Sequence, residues 1–95
     1  MVSSIDANQL EQFIKENPSW SKNENTIRKN YEFENFIEAF GFISKVAILS
    51  EKMDHHPNLQ NTYNKVTIEL TTHDTGGISI KDLKLAAAID KLMVN

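Results

Sequence analysis

The first helical pattern in the chain covers residues 4 to 16. Its apolar side chains recur at i, i+3 and i+4, which predicts a helix with one narrow buried stripe. Ser4 or Asp6 is suited to cap its start, and the helix is expected to end before Pro18, because the residue preceding a proline avoids helical backbone. The apolar positions are Leu10, Phe13 and Ile14.

A longer helical pattern runs from Asn35 to about Met53, with Asn35 and Glu38 spaced like a capping box. The phenylalanines between residues 33 and 42 stand at helical spacing, which predicts core packing. Further apolar residues widen the surface beyond one stripe, so the helix is expected to be either deeply buried or shared with a second subunit. The stripe contains Phe36, Phe40, Ile43, Val46 and Ala47, and the residues that widen it are Phe42, Ile48 and Met53.

The last helical pattern follows Gly76-Gly77, a pair that is typical of a turn with positive φ. Ser79, with Asp82 three residues later, predicts a capping box at the helix start. Asp82 is therefore assigned to the helix cap and not to a catalytic role. The apolar positions of this helix are Leu83, Leu85, Ala86, Ala87, Ile89 and Leu92.

Two stretches alternate apolar and polar residues in the manner of strands. Residues 65 to 71 alternate without interruption, which predicts a strand with one buried face. Residues 26 to 33 also read as a strand, but Lys29 interrupts the apolar face and favours an edge position. The inward residues are Val66, Ile68 and Leu70 in the first strand, and Ile27, Tyr31 and Phe33 in the second.

Two shorter segments complete the predicted sheet. Trp20 opens a strand that runs to about Lys22 and is joined to the next strand by a turn at residues 23 to 25, with Trp20 as a core anchor. Residues 58 to 64 are predicted to be a loop or a short strand. The order of the elements predicts an α+β fold in which helices pack on one face of an antiparallel sheet.

Composition narrows the class of protein. The 95 residues, 40% of them hydrophobic, predict one domain spanning residues 1–95. The net charge of -3 without a basic run argues against direct nucleic-acid binding, and the absence of cysteine excludes disulfides and cysteine zinc sites. No apolar run is long enough for a membrane span and no signal peptide is apparent, so a cytoplasmic location is expected.

Candidate chemistry is concentrated in three histidines. His55 and His56 are adjacent and are followed by Pro57, and His73 comes just after the strand of residues 65 to 71. A helix end and a strand end can meet at one edge of a small sheet, so the three imidazoles could line one pocket. Three interpretations compete: histidines that cap a helix at the surface, a metal site, and acid–base catalysis without metal. The spacing lacks a known metal-ligand arrangement.

The sequence around these histidines resembles the pterin-4a-carbinolamine dehydratase family. The resemblance rests on EKMDHHP at residues 51–57, YNKV at residues 63–66 and the Thr-His pair at residues 72–73, and it extends over roughly residues 20 to 92. It implies a four-stranded antiparallel sheet with three helices packed on one face. It also implies dehydration of 4a-hydroxytetrahydropterin to quinonoid dihydropterin, by one acid and one base and without metal or cofactor.

The resemblance also assigns roles to individual residues. It implies that His55 and His73 exchange protons with the substrate, that His56 chiefly holds it, and that Glu51 orients an imidazole. Leu59 replaces an aromatic residue found in many relatives, which offers less stacking on a pterin. The implied catalytic residues are Glu51, His55, His56 and His73, and the implied substrate-binding residues are Asp54, His55, His56, Thr71, Thr72, His73 and Asp74.

Association with other chains is a further implication of the resemblance. It implies a homodimer or a homotetramer, and the broad apolar surface of residues 36 to 49 agrees with either. It places the chain beside a pterin-dependent aromatic amino-acid hydroxylase, in tetrahydrobiopterin recycling. The alternative function is a non-enzymatic interaction module that stabilises dimers of a partner protein. A pure binding module would have no need of three histidines and neighbouring carboxylates.

Overall fold

The computed structural model describes residues 5–93. All three predicted helices and both alternating strands are present, and the segment after Pro57 is a short strand. Within these residues, no helix is both long and apolar enough to cross a membrane. In chain order the elements are α1 (Ala7–Glu16), β1 (Ser21–Asn23), β2 (Thr26–Glu32), α2 (Phe36–Met53), β3 (Asn58–Thr62), β4 (Lys65–Leu70), a short 3-10 helix (His73–Thr75) and α3 (Ile80–Lys91).

The helices begin at side-chain caps. Asp6 caps α1 and forms a capping box with Gln9, whereas Ser4 lies outside the described residues. The predicted box of Ser79 at α3 is formed. The box predicted at α2 is only half formed: Asn35 accepts a hydrogen bond from the backbone N–H of Glu38, but the Glu38 carboxylate accepts one from the backbone of residue 34 instead.

The four strands form one antiparallel sheet in the order β1-β2-β4-β3. This confirms the predicted α+β class, with a four-stranded sheet and three helices. The edge position predicted for β2 is wrong, because β2 lies between β1 and β4. Lys29 lies on the helix side of the sheet, where its ammonium group contacts a carboxylate of α3. An ion pair thus accommodates the charge that interrupted the apolar pattern.

The two faces of the sheet differ in polarity. One face buries Ile27, Ile68 and Leu70 against the helices. The opposite face, called here the open face, carries polar cross-strand pairs: Arg28 contacts Glu69 at 3.1 Å, and the Thr67 hydroxyl donates to the Asn30 side chain. Trp20 is almost fully buried, as the sequence predicts for a core anchor, and the further buried apolar residues are Tyr31, Ala39, Phe42, Val46, Val66, Ile78, Leu85, Ala86 and Ile89.

Helix α2 buries a different face from the one predicted. Its buried residues are Ala39, Phe42, Val46 and Ser50, whereas Phe36 and Phe40 are about half exposed. At about 100° per residue, the two faces differ by roughly a quarter of a turn. The core role predicted for Phe36 and Phe40 is therefore wrong. Because both faces are apolar, spacing alone could not determine which one meets the sheet.

We predict that this chain is a homo-oligomer at micromolar concentration. The exposed face of α2 presents Phe36, Ile37, Phe40 and Ile48 to solvent, and apolar patches of this kind mark contacts with other proteins. Phe40→Glu is expected to lower the mass measured by sedimentation equilibrium towards that of the monomer. It should leave the fold intact, because Phe40 is 54% exposed in the single chain. A wild-type chain that sediments as a monomer would contradict the prediction.

A charged cluster lies beneath the sheet at the end of α3. The Asp90 carboxylate accepts hydrogen bonds from Trp20 Nε1 at 2.8 Å, from Lys29 Nζ at 2.8 Å and from the Tyr31 hydroxyl at 2.6 Å. Burial raises the pKa of Asp90, but these donors, led by Lys29, outweigh it and leave that pKa below its ordinary value. Burial, with a smaller effect of Asp90, raises the pKa of Tyr31. The cluster joins β2 to the last helix.

Asp90→Asn is expected to lower the free energy of unfolding by about 1–3 kcal/mol at neutral pH, because it weakens hydrogen bonds to a charged acceptor. Because the pKa of Asp90 is lowered in the folded state, its carboxylate binds a proton more readily in the unfolded chain than in the folded one. The carboxylate's contribution is therefore complete above the ordinary Asp range and is lost as the pH falls from that range through the lower pKa of the folded state. Urea unfolding at several pH values measures this: a difference between the two proteins that does not shrink in acid refutes the assignment.

Candidate active site

Two adjacent histidines follow the end of α2, and their side chains point in different directions. Asp54, the residue after the helix, has left-handed backbone (φ 51°, ψ 45°), and its N–H donates to the carbonyls of Ser50 and Glu51. The backbone N–H of His55 then donates to Ser50 at 3.0 Å. After this reversal the chain leaves the helix through His56 and continues into β3. The backbone turn therefore determines where the imidazoles lie.

His55 is directed towards the interior. Its Nε2 lies 2.5 Å from Oδ1 of Asp82, and only 11% of its side chain is exposed. Asp82 is completely buried at the start of α3. Its other oxygen, Oδ2, accepts hydrogen bonds from the backbone N–H of Ser79 at 2.9 Å and from the hydroxyl of Thr72 at 2.8 Å. One carboxylate thus caps a helix and holds a histidine.

The hydroxyl groups in this network have a determined direction. Thr72 Oγ1 has one proton, which it donates to Asp82, so the contact of 2.7 Å between Thr72 and Ser79 must use the proton of Ser79. A carboxylate accepts hydrogen bonds, which places the proton of the His55 ring on Nε2. In the neutral ring, Nδ1 then has the free lone pair and is the nitrogen that can accept a proton.

His56 forms a second histidine–carboxylate pair, at the surface. Its Nε2 lies 2.5 Å from Oε2 of Glu51, and both side chains are well exposed. The carboxylate is five residues earlier, on the last turns of α2. The pair has the geometry in which Glu51 orients an imidazole. Exposure to water weakens the interaction, so its role is orientation more than stability.

His56 and His73 line one cleft of about 360 Å³ at the end of the sheet. His73 begins the 3-10 helix directly after Thr72, whose backbone forms reciprocal hydrogen bonds with Gly77. This bridge holds the loop that carries His73. The other residues that line the cleft are Pro57, Asn58, Glu69 and Thr71.

The cleft contains some of the predicted site residues and not others. Thr71 lines it, and its hydroxyl donates to the carbonyl of Asn25 at 2.7 Å. His55 does not line it, so the cleft brings together two of the three imidazoles. Asp54 and Asp74 are exposed at the ends of α2 and within the 3-10 helix. Leu59 lies on the helix side of the sheet and packs on the core, so it forms no wall of this cleft.

The sequence analysis did not assign Asp82 or Glu69 to the site. Asp82 is indeed a helix cap, as predicted, but its second oxygen also contacts His55. The sequence contains no signal for that contact, since the two residues are 27 positions apart. Glu69 is a polar position of the alternating strand β4 and looked like an ordinary solvated residue. Its place in the cleft follows from the pairing of β4 with β3.

The chemistry available at this site is proton transfer. Two imidazoles each have a carboxylate at 2.5 Å, and a third imidazole, that of His73, is exposed at the cleft. Histidine titrates near neutral pH and serves as both acid and base. Over residues 5–93, no group of three or more histidine, aspartate or glutamate side chains is arranged to hold a metal ion.

The fold and the site define a class: small α+β proteins with histidine–carboxylate pairs at the end of an antiparallel sheet. The family model described as pterin 4 alpha carbinolamine dehydratase matches residues 3–92, and the chain belongs to that family. A Prochlorococcus marinus (strain NATL2A) protein provisionally named pterin-4-alpha-carbinolamine dehydratase is 67% identical and covers 98% of both chains. A Solibacter usitatus (strain Ellin6076) protein with the same name is 40% identical over 97% of both.

Two solved structures are similar to this chain. A transcriptional coactivator/pterin dehydratase from Brucella melitensis matches with a TM-score of 0.89 and 30% identity, over 94% of this chain and 97% of its own. A pterin dehydratase-like protein, identified as a RuBisCO assembly factor in the alpha-carboxysome, matches with a TM-score of 0.69 and 25% identity, over 81% and 92%. The fold therefore occurs in proteins described by different activities.

Proposed function

We propose that this protein dehydrates 4a-hydroxytetrahydropterin to quinonoid dihydropterin and water, in the recycling of a tetrahydrobiopterin-type cofactor. Family membership supports a pterin dehydratase by name. The observation that carries the proposal is the pairing of His55 with the buried carboxylate of Asp82, together with two further histidines at the neighbouring cleft. A pterin-dependent aromatic amino-acid hydroxylase is the class of enzyme that would supply the substrate.

The reaction requires one proton to be delivered and one to be removed. The bond between carbon 4a and its hydroxyl oxygen breaks, and the oxygen leaves as water after receiving a proton from an acid. A base removes the proton on ring nitrogen N5, and the electron pair of that N–H bond forms the double bond between N5 and carbon 4a. No electrons are gained or lost. Positioned acids and bases typically contribute about 10²–10⁴-fold to such a step.

The proposed roles follow from the contacts of each imidazole. His55 is held by Asp82 with Nδ1 free, and we assign it to proton exchange with the substrate. His73 is assigned the complementary proton transfer, because it is exposed at the cleft. His56 is already paired with Glu51, so it holds the substrate.

The other residues that were predicted to bind the substrate are assigned different roles. Thr71 lines the cleft and is placed to touch a bound pterin. The Thr72 hydroxyl and backbone are engaged by Asp82 and Gly77, so Thr72 acts by holding the site in place. Asp54 and Asp74 have exposed carboxylates near the ends of the segments that carry the histidines, and both are assigned to the outer edge of the bound ligand.

Stopped-flow decay of freshly generated 4a-hydroxytetrahydropterin tests the proposal directly. The wild-type protein is expected to accelerate the decay in proportion to its concentration. A protein that leaves the spontaneous rate unchanged would refute the dehydratase assignment.

We further predict that exhaustive chelation leaves the acceleration unchanged, because acid–base chemistry supplies both proton transfers. The matched control is the same chelated sample after addition of one equivalent of zinc. Activity that disappears on chelation and returns with zinc would contradict the metal-free mechanism, while leaving the dehydratase assignment intact.

A second candidate function is an interaction module that stabilises another protein. The exposed apolar face of α2 favours it, and one structural neighbour is described as a RuBisCO assembly factor. Mutations separate the two functions: His55→Ala should lower kcat for dehydration by about 10²–10⁴-fold without affecting a partner bound through α2. Phe40→Glu should weaken binding of that partner without affecting dehydration, if each subunit's cleft works independently.

A further inference from the structure

Glu69 brings a carboxylate into the histidine cleft. It lies on the open face near the end of the interior strand β4, directly opposite Arg28 on β2 and opposite Asn58 on β3. The Glu69 side chain is 20% exposed, and its Oε2 lies 3.1 Å from Arg28 Nη2 and 3.3 Å from the hydroxyl of Thr26. Two neighbours on β2 thus hold the carboxylate in one orientation at the cleft.

The carboxylate retains capacity for further hydrogen bonds. Both protein contacts use Oε2, and among residues 5–93 no hydrogen bond within the protein ends on Oε1. A carboxylate has about four acceptor positions, so Oε2 also has room for another donor. The Glu69 carboxylate at the cleft therefore has Oε1, and the remaining capacity of Oε2, available for the donors of a ligand.

An aminopyrimidinone ring presents the matching pattern. Its ring N–H and its neighbouring amino group are two parallel donors on one edge, with an oxo acceptor beside them. Two N–H donors facing two oxygens of a charged carboxylate form the bidentate arrangement that gives both strength and direction. Asn58, which also lines the cleft, has an amide that can donate to the oxo group.

We propose that Glu69 is a specificity-determining residue that binds the amino-pyrimidinone edge of the ligand. The inference rests on the proposed function, since it takes a pterin as the ligand of this cleft. Glu69 selects ligands that carry an amino group between the two nitrogens of the pyrimidine ring, and disfavours ligands with an oxo group there. An oxo oxygen and the carboxylate oxygen that faces it are both hydrogen-bond acceptors. With no proton between them, neither oxygen would be hydrogen-bonded.

The simpler interpretation is a cross-strand ion pair without a ligand role. The Arg28 side chain is 44% exposed, and ion pairs at such exposed positions contribute little to stability. That interpretation predicts that Glu69 affects stability slightly and ligand choice not at all. The two interpretations differ in the ligand preference that they predict, so a measurement of that preference distinguishes them.

The test compares the binding of pterin and of lumazine, its 2-oxo analogue, to the full-length protein by calorimetry. Wild type is expected to prefer pterin by about 10–100-fold, in line with hydrogen bonds to a charged group. Glu69→Gln should reduce the preference to within about threefold, because the amide replaces one acceptor with a donor. Glu32→Gln, on the same face but outside the cleft, changes the charge equally and should keep the wild-type preference.

Two further variants complete the design. Arg28→Gln removes the ion pair but not the carboxylate, and should keep a clear preference for pterin. Glu69→Asp retains a carboxylate one methylene shorter, so a weakened but measurable preference is expected; it also provides the test if Glu69→Gln does not fold. A wild type without preference, or a Glu69→Gln protein with the full preference, would overturn the proposal. The dehydration assay tests the proposed function separately. If the wild-type protein catalyses dehydration while Glu69→Gln keeps the full preference for pterin over lumazine, only the role of Glu69 is refuted.

Discussion

Replacing His55 or His73 by Ala is expected to lower kcat for dehydration by about 10²–10⁴-fold, the range that positioned acid–base groups contribute. His73 is exposed at the cleft, so its removal should leave the fold intact, whereas His55→Ala also takes a partner from the buried Asp82 carboxylate and should lower the melting temperature as well. His56→Ala should instead appear largely in KM, because His56 is assigned to holding the substrate. Stopped-flow kinetics on the three variants separate these effects.

The double variant of His55 and His73 provides an internal control. Groups that act in one chemical step are not additive, so the double variant should lose less than the product of the two single losses. Melting temperatures measured on the same samples test the interpretation that the histidines are only helix caps. That interpretation requires a modest loss of stability with kcat nearly intact. Unchanged kcat in both single variants would reject the catalytic assignment.

Asp82→Ala is expected to lower the free energy of unfolding by about 3–5 kcal/mol, the cost of breaking a buried charged network. Three donors lose their acceptor: the ring of His55, the hydroxyl of Thr72 and the N–H of Ser79. The carboxylate is completely buried, so water cannot easily replace it. Urea unfolding measures the loss, with Glu11→Ala on the exposed surface of α1 as the control that should change little.

The same variant should also lower kcat, because His55 loses the group that fixes its proton on Nε2. Ser79→Ala separates the two roles of Asp82. It removes the side-chain cap of α3, which typically costs about 1 kcal/mol, but keeps the contact with His55. Kcat should then remain close to wild type. If Asp82→Ala and Ser79→Ala lower kcat equally, Asp82 acts only as a cap.

Local patterns were sufficient to predict most elements of this fold. The alternation in residues 65–70 and the caps at Asp6 and Ser79 depend on neighbouring residues in the chain, so they are visible in the sequence. The antiparallel α+β layer followed from the order of these elements. The boundaries differ by one or two residues at most strand ends, as hydrogen-bond pairing decides where a strand stops.

Features that depend on distant partners were not predictable. Both faces of α2 are apolar, and only the position of the sheet determines that Phe42 is buried while Phe40 is exposed. Lys29 is compatible with an interior strand only because Asp90, 61 positions later, accepts its charge. The same holds for the candidate site. The sequence drew attention to the three histidines, and their roles came from the resemblance to a known family, whereas the carboxylate beside His55 became visible only in three dimensions.

The left-handed backbone at Asp54 places two neighbouring imidazoles in different contact with bulk water. The ring of His55 is enclosed with Asp82, whereas the ring of His56 is open to solvent beside Glu51. One turn of backbone thus gives adjacent imidazoles different access to water, so we expect proton exchange with the solvent to be slower at His55 than at His56.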